Sequence, residues 1–267
     1  MSAGKIPSTA CQDDQRFSYC LYVPRTPSPR ERRLLVAIHG SERDNQTLCD
    51  LFAPLADALN LIVLAPLFPC GIEDPNDQDN YKYIEYRNIR FDRILLSMIA
   101  EVGASYDVDT SRFSLFGFSG GAHFAHRFLY LYPERLNAVS IGAPGSVTLL
   151  DTERDWWVGV ADIGPRFGRP LDLSALRRVD VHLCVGGGDT DVRGIVQGPE
   201  SKHWMEGAER AGHNRVERLE SLHASLMAHA IPARLEILPE VGHRREPITA
   251  AATEFFTAIL RRDDAAA

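Results

Sequence analysis

The sequence contains no apolar run near the roughly 18 residues that a membrane-spanning helix needs. Its N-terminal stretch, "MSAGKIPSTACQDDQ", has no apolar core of signal-peptide length. No secretory leader is therefore expected, and the protein is expected to be soluble and cytoplasmic, without a membrane partner. Basic patches are also missing. The formal net charge is −7, and the arginine-rich stretch Pro29-Arg30-Glu31-Arg32-Arg33 is short and broken by an acid. Such a surface cannot neutralise a run of phosphates, which argues against a nucleic-acid partner; the stretch reads as a solvated loop. The five cysteines, Cys11, Cys20, Cys49, Cys70 and Cys184, have neither disulfide-framework nor zinc spacing. Cys20 and Cys184 fall inside strand-like runs and read as small buried hydrophobes. No H-E-x-x-H pair occurs among the histidines, so no metal site is expected. The glycine run 186–188 lacks the Lys-Ser/Thr of a phosphate loop, and no dinucleotide fingerprint is present, so no cofactor is expected. Apart from the short alanine end, repeats and low-complexity tracts are absent.

What is present is an alternation of strand-like and helix-like segments. "SYCLYVP" (18–24) and "RLLVAI" (33–38), separated by a Pro- and Arg-rich turn, predict an antiparallel hairpin. A helix is expected from about Leu48 to Leu59, then an apolar strand over Leu61–Ala65 and a long Pro/Asp/Asn loop to about residue 84. Ile89, Ile94, Leu95, Met98 and Ile99 share one side of a helix expected over 88–104. Further strands are expected at 138–142, 181–186 and 234–238. Helices are expected around 212–230 and from Pro247, a favoured first-turn residue, with an irregular segment reaching about residue 170. Continuous apolar strands alternating with helices predict an α/β fold. Its sheet should be mostly parallel, covered by helices on both faces, with ligand chemistry at the carboxyl ends of the strands.

The most informative stretch is "SLFGFSGGAH" (114–123). Gly117-Phe118-Ser119-Gly120-Gly121 fits G-x-S-x-G, with strand residues before it and a helical run to about Tyr132 after it. A serine on so sharp a turn stands clear of the sheet. The amide of Gly120, where the helix begins, then points to where an oxyanion donor is needed. A serine hydroxyl is a weak nucleophile and needs a base, itself oriented by a carboxylate, in the chain order Ser, acid, His. "CVGGGDTDV" supplies Asp189 and Asp191 just after one strand, and "ILPEVGHRREP" supplies His243 after another. The remaining histidines fit this role less well. His123 and His126 read as packing or surface residues of the helix after Ser119, and His182 as a hydrogen-bonded strand residue. His203, His213, His223 and His229 fall on helices or their approaches.

These motifs, with "YCLYVP", "VAIHGS" and "VGH", make the chain resemble the α/β-hydrolases. The likeness is to the compact esterases of the polyhydroxyalkanoate depolymerase and dienelactone hydrolase groups, and it covers nearly the whole chain as a single domain. The resemblance implies a carboxylic-ester hydrolase with Ser119 as nucleophile, His243 as base and an acid in a G-x-x-D-x-x-V frame. Residues 186–192 meet that frame with Asp189; Asp191 is the rival. The resemblance also implies that the residue after His39-Gly40, Ser41, gives the second oxyanion amide, His39 being structural. It further implies that segment 145–178 forms a small cap or pocket wall. Trp156 and Trp157 there would either enclose an apolar part of the substrate or anchor the cap. Arg166 and Arg169 read as solvated charge, with reception of a substrate carboxylate as the alternative. The expected partner is a small-molecule ester. Thioester or amide cleavage would use the same residues, and a non-catalytic small-molecule receptor could share the fold.

Overall fold

The computed structural model describes residues 3–26, 28, 30–195 and 198–266. In chain order the main elements are β1 (Gly4–Ala10), β2 (Ser18–Val23), β3 (Arg33–Ile38), α1 (Asn45–Leu59) and β4 (Leu61–Leu67). A small two-stranded ribbon, β5 (Glu85–Tyr86) and β6 (Ile89–Arg90), leads into α2 (Phe91–Ser105), β7 (Phe113–Phe118), α3 (Gly120–Leu131) and β8 (Leu136–Gly142). The short helices α4 (Ile163–Phe167) and α5 (Leu173–Leu176) precede β9 (Asp180–Gly186), α6 (Arg215–Ala228), β10 (Ala233–Leu238) and α7 (Arg245–Ala266).

Among the described residues eight strands form one sheet in the order β1-β2-β4-β3-β7-β8-β9-β10, and of these β2 alone runs against the rest. Strands β3, β4 and β7 are apolar on both faces and almost wholly buried, which a sheet covered by helices on each side requires. The chain moves from β3 to β4 in one direction and later from β7 to β8 in the other. Right-handed crossovers therefore put α1 on one face and α3 on the opposite one. Helix α7 packs on α1 and closes that face. Because the winding reverses between β3 and β7, their carboxyl ends leave a crevice, and His39-Gly40-Ser41 and Ser119 both sit there.

The expected hairpin between 18–24 and 33–38 does not form. Strand β2 pairs antiparallel with β4, and β3 lies beyond it between β4 and β7. The apolar run Leu34–Ile38 is buried on every side, so it belongs in the centre of the sheet. An outer position suits β2, whose partner on the other side is β1. Strand β1 was not foreseen: it is a polar, half-exposed edge containing Pro7, where a missing N–H costs little. The five cysteines are free, and Cys20 and Cys184 are fully buried. Among the described residues no helix is long and apolar enough to cross a membrane.

Candidate active site

Ser119 sits between β7 and α3 with φ 54° and ψ −115°, a backbone conformation that a residue with a Cβ adopts only under constraint. The constraint is visible around it. The Ser119 amide donates to the Gly142 carbonyl at 2.8 Å, and the Ser119 carbonyl accepts from Ala122 at 3.0 Å and His123 at 3.2 Å. Gly121 packs directly on β3, where a Cβ would lie 2.2 Å from the Ile38 carbonyl oxygen. Only glycine lets helix and strand approach this closely.

The loop after β3 carries His39, Gly40 and Ser41. His39 is fully buried; its Nδ1–H donates to the Gly40 carbonyl at 2.7 Å and its Nε2 accepts from the Phe68 amide at 3.0 Å. Burial pushes its pKa down to about 4, so it is a neutral strut. The Tyr81 hydroxyl donates to the His39 carbonyl at 2.9 Å. A Cβ placed on Gly120 would lie 3.3 Å from the Ser41 nitrogen, which puts the two amide-bearing segments side by side next to Ser119.

The loops after β9 and β10 meet on the other side. A Cβ on Gly186 would come within 2.1 Å of the Val241 carbonyl oxygen, so here too glycine allows one backbone to lie on another. Amides of Gly187 and Gly188 donate to the carbonyls of Leu238 and Val241 at 2.8 and 2.9 Å. His243 extends from this junction. Its Nδ1–H donates to Asp189 Oδ2 at 2.6 Å, and its Nε2 accepts from Ser119 Oγ at 3.0 Å. The Phe118 ring stacks on the imidazole at 4.8 Å between centroids. Asp189 is buried and its other oxygen accepts from Arg215 Nη1 at 3.0 Å. Asp191 points away: it pairs with Arg193, whose side-chain hydrogen bonds hold its carboxyl down at about 2.

The histidines of α3 are structural. His123 Nε2 accepts from the amides of Gly145 and Ser146, and His126 Nε2 accepts from the Thr148 amide. Burial pushes both well below the ordinary histidine range. Beside them lies Arg127, fully buried and not anticipated from sequence. Its guanidinium donates to Thr148 Oγ1, the Lys82 carbonyl and Ser146 Oγ, and lies 4.6 Å from the Tyr83 ring centroid. Burial lowers its pKa to about 10. It ties α3 to the segment after β8. A lone arginine in a helical run carries no sequence sign of such a role.

Trp156 and Trp157 are both buried, and their indole N–H groups donate to the carbonyls of Tyr83 and His203. They back a cleft of about 570 Å3 that also holds Tyr86, Lys202 and the exposed Trp204. Tyr83 joins this cleft to a small polar recess of about 80 Å3 that contains Ser119, Gly120 and Lys82. A second cleft, about 440 Å3, also reaches Ser119 and contains Gly40, Ser41, His243 and Arg215. Arg166 is paired with Glu85 and Arg169 with Glu134, so neither is an uncommitted charge.

No family model matches the chain, and no curated protein matches it in sequence. Solved structures do. A poly(aspartic acid) hydrolase from Sphingomonas sp. KT-1 superposes with a TM-score of 0.76 at 21% identity, over 95% of this chain and 98% of its own. A poly(3-hydroxybutyrate) depolymerase from Bordetella parapertussis gives 0.75 at 21% identity, over 98% and 95%. A fluorophosphonate-binding serine hydrolase from Staphylococcus aureus gives 0.63 at 12% identity, over 97% and 99%. The chain has the α/β-hydrolase fold.

Proposed function

We propose that the protein is a serine hydrolase of carboxylic esters, with Ser119, His243 and Asp189 as its triad. The observation that carries this reading is the pair of hydrogen bonds made by one imidazole, 2.6 Å to Asp189 and 3.0 Å to Ser119. The carboxylate can only accept, so the ring proton stays on Nδ1 and Nε2 keeps the lone pair that must take the serine proton. As Oγ bonds to the ester carbonyl carbon, its proton passes to Nε2. The negative charge on the carbonyl oxygen is met by the Ser41 and Gly120 amides. Collapse of the tetrahedral intermediate expels the alcohol, which leaves with the proton from Nε2, and Ser119 is acylated. Water then attacks by the same route: its proton goes to Nε2, the acid is released, and the proton returns to Oγ. In this reading segment 145–178 forms one wall of the substrate cleft, with Trp156 and Trp157 giving it shape and apolar surface. Thioester or amide cleavage would need no further group.

A fluorophosphonate probe tests the proposal, because it reacts only with an activated serine. The wild-type protein should label and hydrolyse p-nitrophenyl esters, with the preferred acyl length read from a chain-length series. Folded Ser119→Ala should do neither. A folded wild-type protein that stays unlabelled and inert toward every ester would instead favour a receptor on the same fold.

A further inference from the structure

The triad reading uses one oxygen of Asp189, and the structure shows what holds the other. Arg215 Nη1 donates to Oδ1 at 3.0 Å and reaches the Asp191 carbonyl at 3.4 Å, so it clasps both the carboxylate and the loop that carries it. Both side chains of the pair are largely shielded from water, with 11% and 1% exposure. At such a site a charged hydrogen bond is screened little. Arg215 is also held firmly. It is the first residue of α6, and Asn214 before it caps the helix by accepting from the Glu217 amide at 3.0 Å. The Glu217 carboxylate in turn accepts from the His213 amide at 2.8 Å and from the Asn214 side-chain amide at 2.7 Å, which ties the first turn to the two residues before it. The guanidinium therefore projects from a rigid helix start rather than from a loose loop.

We propose that Arg215 is a positioning residue for proton transfer, fixing Asp189 so that a single carboxylate oxygen faces His243 and tuning the imidazole through that carboxylate. This rests on the triad reading above. The Arg215 charge also offsets the Asp189 carboxylate and opposes a second positive charge on His243 through space, which favours the neutral ring that accepts the serine proton. Removing the cation should therefore move the acid limb of kcat/KM upward. The other charged groups around the pair remain in every variant. These are Asp191 and Arg193 on the Asp189 loop, Glu42 and Asp44 after β3, and Arg244, Arg245 and Glu246 on the His243 side. Lys82, Asp79, His123 and Arg218 lie around Arg215 itself.

The test is the pH dependence of kcat/KM on one neutral ester for wild type, Arg215→Met, Arg215→Gln, Arg215→Lys and Asp189→Asn, with folding checked by circular dichroism. The charge-free variants should shift the acid limb up by roughly one pH unit. Arg215→Lys should restore most of the wild-type limb. A merely structural role would lower the rate at all pH values without moving the limb. Arg215→Gln keeps a donor and most of the volume, so it carries the same expectation should the apolar variant fold poorly. An unmoved acid limb in folded Arg215→Met or Arg215→Gln overturns the proposal. If Asp189→Asn keeps normal turnover, the triad reading falls and this inference with it. If Asp189→Asn is inactive while the charge-free variants keep the wild-type limb, only this inference falls.

Discussion

Asp189 and Asp191 stand two residues apart and meet opposite surroundings. The Asp189 carboxylate is 1% exposed between His243 and Arg215, whereas the Asp191 carboxylate is 49% exposed and held by Arg193 on its own loop. Asp189→Asn should therefore lower kcat by up to about 10⁴-fold, because an amide can stabilise the wrong imidazole tautomer. Asp191→Asn should stay within about threefold of wild type, as expected for an exposed side chain. Both mutants assayed on one ester decide this. An inactive Asp191→Asn beside a normal Asp189→Asn would reverse the assignment of the acid.

Ser119 offers a separation of activity from stability. Its positive φ of 54° is costly for any residue with a Cβ. Ser119→Gly should raise the stability to denaturant by about 1 kcal/mol, the relieved strain exceeding the extra freedom glycine gives the unfolded chain. The same substitution should lower kcat by at least about 10³-fold, as loss of the nucleophile does in other triads. A Ser119→Gly protein less stable than wild type would show that the turn is unstrained.

Gly121→Ala tests the close approach of α3 to β3. Its new methyl carbon would lie 2.2 Å from the Ile38 carbonyl oxygen and 2.8 Å from the His39 carbonyl oxygen, and backbone cannot swing away as a side chain can. A loss of about 3 kcal/mol or more, or failure to fold, is expected. Urea unfolding with a midpoint equal to that of wild type would contradict the packing described.

Buried neutral histidines predict an acid-labile fold. His39 titrates at about 4 when folded, against an ordinary value of 6.5, and His123 and His126 are pushed well down by burial too. Between those pH values the unfolded chain binds protons that the folded chain refuses. Stability is thus fully present above about pH 6.5 and is lost as the pH falls toward 4. His39 alone accounts for about 3 kcal/mol over that window. Melting temperature measured from pH 7 to pH 5 should fall steadily. A flat profile would mean that these rings are protonated in the native state.

Much of this molecule is written locally. Apolar runs such as Leu34–Ile38 and Leu61–Ala65 could only be buried strands, and Gly117-Phe118-Ser119-Gly120-Gly121 marks the turn at which Ser119 leaves the sheet. The loops bearing Asp189 and His243 follow their strands, as the chain order leads one to expect. Such features are legible because they depend on neighbours a few residues away: periodicity, backbone freedom, and where a strand stops. The sequence does not state which strands lie side by side. Strand β2 joins β4 because the apolar β3 is driven to the centre of the sheet. The G-x-x-D-x-x-V frame favours Asp189 over Asp191 only through the resemblance, and nothing local marks Arg127 or Arg215. Those residues draw their surroundings from distant segments: Arg215 meets Asp189 across 26 residues, and Ser119 meets His243 across 124. Burial and charge pairing over such separations arise only when the sheet has closed, so tertiary structure alone decides which carboxylate is enclosed and which faces water.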